Sequence, residues 1–98
     1  MKIKTIDIQA KEWRDKINGN SYFSAEIDIN YKLKDWVSLK LPFSYGYGSQ
    51  YTQDSFKKIV EELGIKTDCS TLWRFCEENK IILRTNKTEG CLKKELLQ

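Results

Sequence analysis

The residues able to do chemistry in this chain are three cysteines, three pairs of neighbouring carboxylates and a tyrosine–glycine loop. There is no histidine. That absence excludes imidazole acid–base catalysis, the serine and cysteine triads built on it, and zinc sites that mix Cys with His. Cys69, Cys76 and Cys91 show no Cys-x-x-Cys spacing, and their odd number fits reduced thiols better than a disulfide framework. Glu61/Glu62 and Glu77/Glu78 are adjacent on helical stretches, where neighbours diverge by about 100°, so they read as solvated faces. Glu26 and Asp28 share the wet side of a strand, with no third ligand in view. These residue types call for no cofactor and no metal, and a non-enzymatic protein is expected.

The loop Tyr45-Gly46-Tyr47-Gly48 is the best candidate for a contact surface. Glycine lets backbone approach a partner closely, and tyrosine offers a flat face and a hydroxyl. The loop lacks the third glycine of a dinucleotide fingerprint and the lysine of a phosphate-binding loop. Its tyrosines are therefore either packed on the junction or displayed to a partner. Trp36, Tyr45, Tyr47 and Tyr51 are the expected partner-binding residues, since exposed aromatics anchor protein interfaces.

The elements that position these residues follow from hydrophobic periodicity. Ile6, Ile8 and Ala10 lie on one face of a first strand running from Lys2 to about Lys11. Asn18-Gly19 then supplies a tight turn. Ser21 to Tyr31 alternates, with Phe23, Ala25, Ile27, Ile29 and Tyr31 on the dry side. Trp36 to Phe43 makes a third strand with Val37, Leu39, Leu41 and Phe43 inward. Pro42 ends that strand or places it at an edge. Beyond the loop, Phe56, Ile59, Val60 and Leu63 form a helical stripe, capped by Ser49 or Thr52 and stopped by Gly64. A shorter helix runs from Cys69-Ser70-Thr71 to Glu78, with Asn79 in the left-handed closing position. Ile81 to Thr85 reads as a strand, Asn86 to Gly90 as a turn, and Cys91 to Leu97 as a strand or a short helix.

The expected fold is one α+β domain over residues 1–98, in the order β-β-β-α-α-β-β. It comprises an antiparallel three-strand meander, two short helices on one face and a C-terminal β-hairpin. The same helix–turn–helix–hairpin order is that of a winged helix-turn-helix, with residues 80–94 as the wing.

Net charge is +3, with the excess near the C-terminus. Lys80, Arg84, Lys87, Lys93 and Lys94 face a single acid, Glu89, between residues 80 and 94. They are the expected contacts for an anionic partner, nucleic acid included. No apolar run approaches the roughly 20 residues of a membrane span, and the N-terminus lacks the apolar block of a signal peptide. A cytosolic location follows, and a homodimer is compatible with the outward Trp36.

The segments Ile8-Gln9-Ala10-Lys11-Glu12-Trp13, Gly19-Asn20-Ser21-Tyr22-Phe23-Ser24-Ala25, Leu41-Pro42-Phe43-Ser44-Tyr45-Gly46-Tyr47-Gly48 and Leu72-Trp73-Arg74-Phe75-Cys76-Glu77-Glu78-Asn79 carry a resemblance. With the ending Cys91-Leu92-Lys93-Lys94, they resemble a group of small proteins encoded by bacteriophages and prophages. The resemblance spans nearly the whole chain and brings no catalytic motif. It implies a phage accessory protein in the host cytoplasm that binds a bacterial protein. By analogy, the partner is a defence nuclease or nucleoprotein complex and the activity anti-CRISPR-like inhibition. The alternative is a nucleic-acid or nucleotide binder using the Tyr-Gly loop or the basic 80–94 segment.

Overall fold

Alternation in the second strand sets the architecture. Phe23, Ala25, Ile27 and Ile29 are buried while Tyr22, Ser24, Glu26 and Asp28 between them are half-buried or exposed, so one face of the sheet is dry and the other wet. In a computed structural model describing residues 2–97, with Met1 and Gln98 outside the described residues, seven elements follow in order. They are β1 (Thr5–Asp15), β2 (Asn20–Ile29), β3 (Val37–Tyr45), α1 (Gln50–Leu63), α2 (Leu72–Glu78), β4 (Ile82–Thr88) and α3 (Lys93–Leu96). The four strands make one sheet in the order β3-β2-β1-β4. The expected meander of β1, β2 and β3 is present, with Ile8 opposite Ile27 and Leu39 opposite Ile27 on the other side. Phe56 and Ile59 of α1 and Leu72, Phe75 and Cys76 of α2 join the dry face in one core. Both helices therefore cover the same side.

The fourth strand corrects the sequence expectation. It pairs in parallel with β1, Ile6 opposite Leu83 and Ile8 opposite Thr85, so the sheet is mixed. Asn86, Lys87 and Thr88 continue the ladder instead of turning, and no C-terminal hairpin or wing forms among the described residues. Polar residues are tolerated there because Asn86 and Thr88 are exposed on the wet face and the Lys87 ammonium is paired with Glu12 and Glu89. The chain turns at Gly90, where φ is 72°, and the Cys91 N–H donates to the Glu12 carbonyl. It then crosses to the wet face as α3, whose Leu92 N–H is capped by the Glu95 carboxylate at 3.1 Å.

Three local expectations are also corrected. Tyr31 is exposed instead of inward, because β2 ends at Ile29 and Asn30 takes φ 56°. The left-handed closing residue after α2 is Lys80 at φ 55°, one position beyond Asn79. Phe43 is turned away from the core by an irregularity in β3 described below. The cap of α1 holds in position only: Ser49 is the N-cap residue but its side chain makes no capping hydrogen bond, and the Thr52 hydroxyl donates to the Ser49 carbonyl instead. Two other boundary signals act as read. Gly64 closes α1 at φ 62°, and Thr71 caps α2 by accepting from the Arg74 N–H at 3.2 Å, worth about 1 kcal/mol.

Asn30 is fully buried and holds the base of the sheet. Its Oδ1 accepts from the Lys4 and Thr5 N–H groups at 2.7 and 3.3 Å. Its Nδ2 donates to the Lys2 carbonyl at 2.9 Å and to Asp35 at 3.1 Å. Asn30→Ala removes these bonds and places a Cβ-only side chain at positive φ. A loss of about 3 kcal/mol is expected in urea unfolding. Ser55 presents the opposite case, a fully buried hydroxyl in α1 with no hydrogen-bond partner. Ser55→Ala should raise stability by about 1 kcal/mol in the same measurement, because it removes an unmet polar group and improves helix propensity.

Candidate binding surface

The wet face carries the feature that sequence spacing did not disclose. Across β2 and β3, Phe23 pairs with Ser44 and Ala25 with Leu41, so Ser24 alone faces Pro42 and Phe43. One extra residue in β3 reverses its alternation from that point. The Ser44 hydroxyl donates to the Pro42 carbonyl at 2.8 Å across the irregular segment. Phe43 is thereby delivered to the wet face, where it stacks on Tyr22 at 4.8 Å between ring centroids. Tyr22 stacks in turn on Trp13 at 5.5 Å and meets Tyr45 edge-on at 5.7 Å. Such pairs each contribute about 0.5–1.5 kcal/mol beyond area burial. Lys93 of α3 sits 5.5 Å from the Trp13 ring and 5.8 Å from Phe43, a cation–π contact that holds α3 on this face.

Beside this aromatic row, a concavity of about 630 Å3 separates α3 from the sheet. Its lining mixes polar side chains (Gln9, Glu26, Lys40, Asn86) with Phe43 and Leu97.

The Tyr-Gly loop continues the row around the corner into α1. Tyr45 is 61% and Tyr47 71% exposed, so the loop displays these two tyrosines. The loop itself is fastened. The Gly46 N–H donates to the Ser21 carbonyl at 3.0 Å. Lys87 donates to the Gly48 carbonyl at 3.1 Å. The Thr52 hydroxyl donates to the Ser49 carbonyl at 2.7 Å. Gly46 is required by packing: a Cβ there would lie 2.7 Å from the Phe23 ring and 2.9 Å from Gln50. Gly48 is required by conformation, with φ 63°.

The four aromatics expected as a partner surface do not form one patch. Tyr45 and Tyr47 belong together. Tyr51 turns inward and packs against the core. Trp36 lies just before the opposite end of β3, nine residues from Tyr45 or roughly 30 Å along the strand, where its indole donates to Asp28 at 2.9 Å and its ring meets Tyr31 edge-on.

The five basic residues are likewise dispersed. Lys87 points to the core register, largely buried, with Glu12 at 3.5 Å and Glu89 at 3.4 Å. Arg84 lies on the wet face in a two-pronged pair with Asp7 at 2.6 and 3.0 Å, which raises its pKa. Lys93 is over the aromatic row, Lys94 is exposed on α3, and Lys80 sits at the far end of β4.

Cys69 precedes α2 and donates to Glu78 at 2.9 Å. That carboxylate, itself lowered by Cys69 and Arg74, pushes the Cys69 thiol up. Burial pushes the Cys76 thiol up to about 11. Both thiols keep their protons at neutral pH. Glu26 and Asp28 face different neighbours, Lys40 and Ser38 in β3, while Asp28 accepts from Trp36. Among the described residues, no group of three or more His, Cys, Asp or Glu is placed to hold a metal. No helix among the described residues is long and apolar enough to cross a membrane.

The chain matches no protein-family model, no curated protein and no solved structure.

The packing at Gly46 generates a test. Gly46→Ala forces a methyl into the Phe23 ring, and a loss of about 2 kcal/mol is expected in chemical denaturation. Gly19→Ala, at a turn with open space around it, should cost about 1 kcal/mol from its positive φ alone.

Proposed function

We propose that this chain is a non-enzymatic phage accessory protein that binds and inhibits a bacterial host protein, as a counter-defence inhibitor would. One observation carries the reading: Tyr45 and Tyr47 are both displayed on a fastened loop, with Tyr45 meeting the stacked row Trp13–Tyr22–Phe43. Exposed aromatics on rigid backbone lose little conformational entropy on binding, and Tyr and Trp dominate protein–protein hot spots. The resemblance to small phage proteins supports the source and the class of partner. The lack of histidine supports a role in binding.

The geometry favours protein over nucleic acid as the partner. A phosphate-tracking surface needs several free cations along one path. Here Arg84 and Lys87 are occupied by carboxylates, and Lys80 is separated from Lys93 and Lys94 by the length of β4.

Immobilised protein should retain a specific host protein from bacterial lysate, identified by mass spectrometry. The double substitution Tyr45→Ala/Tyr47→Ala should weaken that capture at least tenfold, the loss of one or two hot-spot side chains. Trp36→Ala, at the other end of β3, should leave it intact. Retention by the double variant, or loss with Trp36→Ala alone, would place the contact elsewhere.

A further inference from the structure

The two edges of the sheet are built differently. β3 is protected as edge strands usually are, with Pro42 lacking an N–H and the irregular Pro42–Phe43 segment breaking the ladder. β4 has neither device. It is regular over all seven residues from Ile82 to Thr88, contains no proline, and leaves Ile82 60% exposed.

Register identifies which of its backbone groups are free. The Ile82 N–H donates to the Lys4 carbonyl at 3.0 Å, and the parallel pairing runs on through Ile6–Leu83 and Ile8–Thr85. In a parallel ladder alternate residues make the bonds to the neighbour. Ile82, Arg84 and Asn86 therefore bond to β1, while Leu83, Thr85 and Lys87 direct their N–H and C=O groups away from the sheet. The two charges that would ordinarily repel another strand are tied within the chain, Arg84 to Asp7 and Lys87 to Glu12.

We infer that the free edge of β4 pairs with β4 of a second copy, antiparallel about a two-fold axis through Thr85, joining two four-stranded sheets into one of eight. A two-fold axis normal to the sheet makes the two strands antiparallel. It must pass through an outward-bonding residue or between two of them. Only Thr85 is central to the strand, so this register alone pairs all seven residues. In it the two Thr85 residues exchange both backbone bonds, and Leu83 lies opposite Lys87 of the second copy. On the wet face Arg84 lies opposite Asn86, and Ile82 opposite Thr88. No like charges are opposed, which supports a second copy as the occupant. A single strand pair buries less than a standard interface of about 1,600 Å2, so micromolar self-association is expected.

Sedimentation equilibrium on the full chain from about 10 to about 500 μM reads this directly. Wild type should fit a monomer–dimer equilibrium. Thr85→Pro should be monomeric, because the lost N–H faces the free edge and not β1. Thr85→Val, which keeps that N–H, should still dimerise. Asn86→Arg sets arginines opposite each other twice and should weaken the dimer about three- to tenfold, whereas Asn86→Glu should tighten it by a similar factor. Asn86 is exposed on the wet face, so this pair decides the matter even if Thr85→Pro fails to fold. A wild-type chain that stays monomeric at the highest concentration would overturn the inference. So would a dimer whose affinity is the same in both Asn86 variants.

Discussion

Much of the sheet hangs on the buried amide of Asn30. One side chain reads the backbone of Lys2, Lys4 and Thr5 at once, and its own N–H reaches the Thr5 carbonyl. These bonds fix where β1 starts relative to the end of β2. Lys4 then transmits that position, because its carbonyl receives the Ile82 N–H that begins the parallel ladder with β4. A slip of one residue at Asn30 would turn Ile6, Ile8 and Ala10 to the wet face and shift β4 along with them. The amide is buried, and every bond it makes is therefore costly to lose. Its fourth bond, to Asp35, ties in the turn that carries Trp36. Trp36 in turn is held over Asp28 by its indole N–H while its ring stays half exposed.

At the other end of the sheet a single extra residue does comparable work. Without the irregularity opposite Ser24, Phe43 would stay on the core side, as simple alternation requires. With it, Pro42 and Phe43 face outward and complete a row from Trp13 to Tyr45. The row also gives α3 something to rest on. A four-residue helix has little stability of its own. Lys93 over two rings and the burial of Leu96 and Cys91 hold it in place.

What the sequence made legible was what local pattern decides. β2 alternates over ten residues, α1 repeats Phe56, Ile59, Val60 and Leu63 at helical spacing, and Gly64 and Thr71 mark boundaries by their own chemistry. What it concealed depends on partners distant in sequence. Asp7 and Arg84 are 77 residues apart, and nothing near Asn86 announces that it will lie beside Gln9. Gly46 looked like a residue of conformational freedom and proved to be one of steric necessity, a fact that only the position of Phe23 reveals. Lys87 looked like part of a basic tail, but the register of β4 turned it inward toward Glu12. For the candidate surface, Tyr45 and Tyr47 were visible as a loop motif. Trp13, Tyr22 and Phe43 were not, because their adjacency depends on three strands and one irregular register.

Lys87 also shows how core and surface are joined. Its neighbour across the ladder is Ala10, whose small side chain leaves room for the lysine to run along the dry face to the end of the sheet. There its ammonium meets Glu12, Glu89 and the Gly48 carbonyl together. A lysine in that position would be costly alone. With two carboxylates and a carbonyl its charge is matched, and the carbonyl belongs to the loop that displays Tyr47. The Gly46–Phe23 contact fastens the same loop from the core side. The conformational entropy of the Tyr-Gly segment is therefore lost when the protein folds, not when a partner arrives. Preorganisation of this kind leaves two tyrosine side chains, each with few rotatable bonds, as the groups still to be ordered in the proposed contact. In the proposed contact, rigidity would then add affinity without added area.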